Sequence, residues 1–457
     1  MRLVFVNRFF YPDHSATSQI LTDLCFALAA RGHEVHVVSS RLRYDDPADR
    51  LAGEATVEVA RMARATDHPG AARHPSLAGG ELEEPKAVVH VHRVWTSRFG
   101  RGTLLGRAMD YFTFYLSALW RLVRVADRNT IVVAKTDPPM ISVVAALAAR
   151  ATGARLVNWT QDLFPEVAVA VGMRAMRPVL ARWLAAVRDW SLRCAVRNVV
   201  IGEHMRARLL ARGLPDSKIA VIHNWADGAM IVPEEPAARR AEAAPYGEES
   251  GDAGVRGGTP ANPLRGEWGL DGKFVVGYSG NLGRAHEFTT ALDAAGQLAD
   301  REDIVFLFIG GGHQLDSLKA EAARRGLVNV QFQPYQPRER LAQSLGACDA
   351  HLVTLRPGLE GLALPSKFYG IIAAGRPVLF VGATDGEIAG LVNEWQCGQA
   401  FHVGDGKALA QCIHALAEEP ERSREWGANG RRLFDARFAM PIAIDRWERL
   451  LTDVAQA

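Results

Sequence analysis

Three short segments in the second half of the chain place glycine and positive charge at the ends of apolar runs. Phe274-Val275-Val276-Gly277-Tyr278 leads into Ser279-Gly280-Asn281-Leu282-Gly283-Arg284. Glycine allows close backbone approach there, and Arg284 offers a planar cation suited to phosphate. The run from Ile304 to Ile309 ends in Gly310-Gly311-Gly312, a stretch of bare backbone against which a ligand can lie. Further on, Pro365-Ser366-Lys367 opens a helix that closes at Gly375-Arg376-Pro377, with Ser366 expected as its N-cap. Lys367 falls in the first turn, where anions bind but where the helix dipole disfavours a lysine, so its presence argues for an anionic partner. Gly280, Asn281, Gly311, Gly312, Pro365 and Ser366 are candidate contacts of that partner. Three such segments at strand ends of one domain point to a nucleoside diphosphate.

The elements that position them follow a repeated pattern of amphipathic helix, glycine and β-branched strand. It occurs at Gly32 before Val35-His36-Val37-Val38, at Gly153 before Arg155-Leu156-Val157, and again at Gly213, Gly326 and Gly375. Glycine supplies the left-handed residue that ends a helix. Short strands that are apolar on both faces are those of a parallel sheet covered by helices on both sides. The fold class expected is α/β, with two doubly wound Rossmann-like domains facing across a cleft. At 457 residues the chain exceeds what one hydrophobic core supports. We expect an N-terminal domain over 1–233 with a surface loop at 45–85, and a Gly-, Pro- and charge-rich linker over 234–265. A C-terminal domain follows over 266–437, and a last amphipathic helix over 438–457 is free to pack on either domain.

Composition narrows the function classes. Apolar residues make up 48% and charged residues 23%, with a net charge of +2, which is ordinary for a globular protein and too balanced to predict nucleic-acid binding. The five cysteines are scattered without a CxxC pair, so neither a disulfide framework nor a zinc cluster is expected. The opening Arg2-Leu3-Val4-Phe5-Val6 reads as a strand, not as a secretion signal, and an intracellular protein is expected. No GxGxxG follows it, and no Walker-A, HExxH or Asp-x-Asp sequence occurs. The reading is therefore a reaction without a resident cofactor or metal.

These segments together resemble the retaining GT-B glycosyltransferases of family four, in the capsule, O-antigen and colanic-acid branch of polysaccharide synthesis. Ser279-Gly280-Asn281-Leu282-Gly283-Arg284, Gly310-Gly311-Gly312, Pro365-Ser366-Lys367-Phe368-Tyr369 and Ala373-Ala374-Gly375-Arg376-Pro377 are similar to its donor half. Tyr11-Pro12-Asp13-His14-Ser15-Ala16-Thr17-Ser18, Thr136-Asp137-Pro138-Pro139, Gln161-Asp162-Leu163-Phe164-Pro165-Glu166 and His223-Asn224-Trp225 are similar to its acceptor half. The resemblance implies an N-terminal acceptor domain, a C-terminal sugar-nucleotide domain, and metal-free transfer with retention at the anomeric carbon. It places Arg284 on the donor diphosphate and puts His286 where the family carries a lysine, so Lys367 is taken to supply the missing charge. Glu360 matches the first of two family glutamates, the position of the second falls near Phe368 or Gly370, and Glu387 is a downstream candidate for the donor. Asp162 follows Gln161, which stands at the place of a family histidine. It is the candidate catalytic group, accepting the acceptor proton or stabilising positive charge on the sugar. His14, Ser15 and Thr17 are expected on the acceptor side, and the remaining histidines as structural or solvated.

Two segments bear on the acceptor. Met109 to Trp120 is aromatic-rich with Arg107, Arg121, Arg124 and Arg128 around it, and nine arginines lie between Arg174 and Arg212 with Trp183 and Trp190 among them. Arginine with aromatics on an amphipathic helix is the composition of a peripheral membrane face. With the family's lipid-diphosphate acceptors, this leads us to expect a cytoplasmic protein at the inner face of the membrane. Two alternatives stay open at this stage: a sugar-nucleotide epimerase of the same fold, and a non-catalytic relative acting as an assembly partner.

Overall fold

The computed structural model describes residues 1–13, 15–43, 49–59, 87–100, 103–173, 175–234 and 262–457. The first sheet is built from β1 (Arg2–Val6), β2 (Glu34–Ser40), β3 (Glu54–Val59), β4 (Ala87–Val94), β5 (Thr130–Lys135), β6 (Arg155–Thr160), β7 (Arg197–Val200) and β8 (Ile219–Val221). Their spatial order is β3-β4-β2-β1-β5-β6-β7-β8. Leu3 lies opposite Val35 on one side and Ile131 on the other, so the most apolar strands are central. All pairings are parallel except β3 with β4, which is antiparallel. The segment expected as a plain loop at 45–85 thus contributes an edge strand at Glu54–Val59, and its residues 60–85 lie outside the described residues.

The second sheet is wholly parallel. It comprises β9 (Phe274–Ser279), β10 (Ile304–Ile309), β11 (Val330–Gln333), β12 (Ala350–Thr354), β13 (Val378–Val381) and β14 (Gly398–Phe401), in the order β11-β10-β9-β12-β13-β14. Chain direction across the sheet reverses between β9 and β12, so the loops leaving these two strands diverge and open a crevice at their carboxyl ends. In the first sheet the same reversal falls between β1 and β5.

Local chemistry sets the element ends. Ser15 and Thr103 cap the helices Ala16–Ala30 and Leu104–Val125 through their side-chain oxygens, and Gly153 at φ 76° closes Ile141–Thr152. Ser366 differs from expectation: its backbone is helical (φ −62°, ψ −22°) and its side chain makes no capping bond. Of the expected linker, residues 235–261 lie outside the described residues. Its end is folded, because Asn262 caps a short helix at Pro263–Glu267 and donates to Glu234 at 2.7 Å.

The last helix, Met440–Gln456, packs on the first sheet. Trp447 is fully buried, 4.7 Å from the ring of Trp159, which in turn stacks on Trp225 at 5.9 Å. The chain therefore crosses between the lobes twice, and the crossings touch, since Ala226 pairs with Ala439 in a parallel bridge. One core cluster spans the lobes, joining Leu163, Val200 and Met205 to Phe368, Tyr369 and Ile388.

Candidate active site

The loop after β9 and the glycines after β10 pack on each other. A Cβ on Gly310 (φ 133°) would collide with the Gly280 carbonyl, and one on Gly312 (φ 138°) with the Asn281 side chain. Leu282 N donates to Gly311 O at 2.8 Å and Gly280 N to Ile309 O at 2.9 Å. Two of the three glycines are thus required by the neighbouring loop, whereas the sequence suggested a ligand alone. Asn281 and Arg284 stay exposed at the rim, and Arg284 forms no ion pair among the described residues.

Lys367 enters this loop from the side. Its stem passes Gly280, where an added Cβ would sit 3.5 Å from the Lys367 Cε. Nζ donates to the Tyr278 hydroxyl at 2.6 Å, lies 4.1 Å from that ring's centroid, and is 3.3 Å from His286 Nε2. Desolvation brings its pKa down to about 7. His286 donates from Nδ1 to the Thr354 carbonyl at the end of β12 (2.6 Å). Burial first, then the Lys367 charge, lower its pKa to about 3. Lys367 and His286 therefore meet in the crevice between β9 and β12. Pro365 is buried directly ahead of Lys367, while Ser366 is exposed.

The two acidic donor candidates have other partners. Glu387 accepts from the backbone N–H of Glu203 (2.9 Å) and His204 (3.1 Å), at the start of the first lobe's helix Glu203–Ala211, and His223 Nε2 is 3.3 Å away. Glu360 accepts from Glu387 N at 2.9 Å, at the start of the helix Glu387–Trp395, and pairs with His204 Nδ1 at 2.8 Å. Each carboxylate thus serves a helix N-terminus, and together they clasp the two lobes. Arg208 adds a bond to the Glu360 carbonyl, and Asp23 meets Arg338 at 3.5 Å elsewhere on the interface. No carboxylate stands at Phe368 or Gly370; Gly370 faces Leu345 and Ile231.

Asp162 lies where the lobes meet. The next residue, Leu163, donates its N–H to Leu362 O at 2.8 Å, which brings Asp162 against the segment leading to Lys367. Its side chain reaches solvent and has no hydrogen bond among the described residues, so it does not cap the turn before Pro165. Desolvation by the walls of the crevice, then the Asp137 carboxylate, push its pKa up to about 6. The segment behind it is braced by buried Arg188, which bonds Glu166 at 2.7 and 2.8 Å, Phe164 O at 3.0 Å and Asp189 at 2.9 Å. On the same lobe Thr17 donates to Asp137 at 2.8 Å, Ser15 is engaged as the helix cap, and His14 lies outside the described residues.

Part of the arginine run is taken up in ion pairs within the lobe. Arg188 and Arg212 share Asp189, Arg206 pairs with Asp216 at 2.7 Å, and Arg174 lies outside the described residues. The aromatic helix Leu104–Val125 differs: Leu105, Met109, Phe112, Leu116, Trp120 and Val123 are exposed along one helical stripe. It contacts Ile141–Thr152, which contacts Pro178–Cys194, where Val179, Leu180 and Trp183 are also exposed. Arg107, Arg124, Arg150, Arg182 and Arg193 are exposed on these helices, whose acidic residues, Asp110 and Asp189, are both buried. Among the described residues, no helix is long and apolar enough to cross a membrane.

Residue-by-residue reasoning missed Tyr278 and Thr354, while the clasp histidines His204 and His223 take the structural place expected of the remaining histidines. Only Tyr278 left a signal, as an aromatic hydroxyl directly before the glycine loop.

Comparison with known proteins agrees with this architecture. Residues 16–225 match the glycosyl transferase 4-like domain and residues 262–433 the group 1 glycosyl transferases. The chain is 29% identical over 322 residues to the probable glycosyltransferase WbjE of Pseudomonas aeruginosa, covering 70% of this chain and 74% of that protein. It is 27% identical to the putative colanic acid biosynthesis glycosyl transferase WcaI of Escherichia coli, over 50% of this chain and 51% of that one. Among solved structures it is similar to Anabaena HepE in complex with UDP-glucose (TM-score 0.66, 15% identity, 99% of this chain and 100% of that one). It is likewise similar to WaaG, a glycosyltransferase of lipopolysaccharide biosynthesis (TM-score 0.60, 15% identity, 97% and 98%). The chain is a glycosyltransferase of the GT-B fold, a glycosyl transferase 4-like domain followed by a group 1 domain.

Proposed function

We propose that the protein transfers a sugar from a nucleoside diphosphate sugar to a lipid-linked acceptor, with retention and without a metal, in cell-surface polysaccharide synthesis. The observation that carries this reading is Lys367: an ammonium without a carboxylate partner among the described residues, held at the crevice between β9 and β12. Charge develops on the leaving diphosphate as the sugar–oxygen bond breaks, and a fixed cation there lowers the barrier. Arg284 at the rim adds a second. Asp162 faces the reacting sugar from the first lobe as a carboxylate, taking the acceptor proton or balancing positive charge on the ring, while the leaving phosphate can take that proton on the same face. The donor roles of Glu360 and Glu387 are not part of the reading, because both clasp the lobes.

Acceptor and membrane belong together. The exposed apolar stripe with arginines and no exposed carboxylate suits an anionic inner leaflet. A groove of about 510 Å³ beside the Asp162 segment sets Pro165, Val169, Ala181 and Ala185 next to Glu166, Arg182 and Arg212, which suits an apolar chain with an anionic head. The test has two steps. Thermal-shift screening of UDP- and GDP-sugars should find at least one that raises the melting midpoint. With that donor saturating, Lys367→Ala should lose about 10²–10³ in turnover. A panel without any stabilising sugar nucleotide, or unchanged turnover, would overturn the reading.

A further inference from the structure

Burial works against the Lys367 charge, and the two groups that hold its amine are both neutral. The His286 tautomer is fixed by geometry: a carbonyl only accepts, so the 2.6 Å contact with Thr354 O puts the ring proton on Nδ1 and leaves a lone pair on Nε2. A second ring proton is opposed by burial, by Lys367 and by Arg356, whose Nε also holds the His286 carbonyl at 3.3 Å. The Tyr278 hydroxyl points its proton at Asn281 O (2.9 Å), so its oxygen too faces Lys367 as an acceptor. Two lone pairs, each with its proton engaged elsewhere, converge on one ammonium and leave its third N–H unused. The other charged groups nearby do not replace them. Arg284 is a like charge, and the Glu287 carboxylate is engaged by the N–H of Thr289 (2.6 Å) and Thr290 (3.3 Å).

We infer that His286 is a positioning residue: a permanently neutral acceptor that aims the Lys367 ammonium into the crevice and helps it keep its proton, so that its full charge meets the diphosphate. This rests on the reading of Lys367 above and names the device that makes it work. A carboxylate in the same place would hold the lysine equally well but would cancel its charge, and a phosphate would then have to displace it. A neutral lone pair orients the amine and leaves the charge for the ligand.

Only seven lysines occur in the chain, so 13C-lysine NMR of the full-length protein can resolve Lys367. Its titration is to be followed in wild type, His286→Leu, His286→Gln and Tyr278→Phe, first without ligand and then with added inorganic pyrophosphate as the probe. In His286→Leu, Lys367 is expected to titrate about one pH unit lower and to need about ten-fold more pyrophosphate. His286→Gln, which restores an acceptor oxygen, should stay close to wild type. Tyr278→Phe removes the other acceptor and should move in the same direction as Leu, which guards against a misfolded histidine variant. A Lys367 titration unmoved in His286→Leu overturns the inference, whatever Tyr278→Phe does. Pyrophosphate that leaves the wild-type Lys367 signal undisturbed would instead count against the diphosphate reading, because the pH titrations judge His286 without any ligand.

Discussion

Glu387 offers a test that separates the interlobe clasp from a donor contact. Its carboxylate takes two backbone N–H groups at the start of Glu203–Ala211, and its side chain is only 9% exposed. Removing such a cap costs ~0.5–2 kcal/mol, and hydrogen bonds to a charged group run higher, so Glu387→Ala should cost about 2–3 kcal/mol. For a domain of this size that is a fall of roughly 5–10 °C in melting midpoint. Glu387→Gln keeps an acceptor oxygen and loses the charge, at about 1 kcal/mol. The sign with pH is defined. Hydrogen bonds from His223 and from the two amides outweigh desolvation and hold the Glu387 carboxyl below its ordinary value of 4.5. The charge therefore stabilises fully above that value, and its contribution is lost as pH falls through the lower folded value. The gap between wild type and Gln should be constant from pH 7 to about 5 and close below it. Urea or thermal melts of the three proteins, with the donor KM measured alongside, decide the matter. An Ala variant that melts within about 1 °C of wild type while its donor KM rises strongly would refute the clasp and return Glu387 to the donor.

Asp162 and the membrane face carry two more predictions. With Asp162 shifted up to about 6, the ionised form needed for either role is lost below that pH, so the rate should fall on the acid side about ten-fold per pH unit. Asp162→Asn should lose both most of the rate and this acid limb, and an Asn variant with full activity refutes the role. The wild-type protein should float with vesicles containing anionic lipid and much less with neutral ones, and Phe112→Asp with Trp120→Asp should abolish flotation. Equal flotation of the double variant would exclude this helix as the contact.

What the sequence made legible follows from how local each signal is. Glycine at helix ends and strands apolar on both faces are short-range requirements, and they mark the doubly wound layers correctly. Lys367 stood out for a local reason as well, a cation at the wrong end of a helix dipole. His286 was marked only through the resemblance, and Tyr278 and Thr354 not at all, because the three converge through the adjacency of β9 and β12, which no periodicity encodes. The clasp contacts of Glu360 and Glu387 were hidden for the same reason. An acid at a helix start normally serves its own helix, yet Glu387 reaches the amides of a helix in the other lobe. The Gly310 and Gly312 positions show the converse, since a demand for bare backbone is legible while the neighbour that imposes it is not. Arg188 illustrates how charge counting overstates a surface, because a buried bracket and a solvated side chain spell alike.

The double crossing has a mechanical consequence. The two connecting segments lie side by side at Ala226 and Ala439, so both covalent links between the lobes run through one place. Trp447 makes the return leg indispensable, because a chain cut short of it would uncover the buried ring of Trp159. The Glu387 and Glu360 contacts tie the same two lobes through side chains, so the lobes are held together by both backbone and charge.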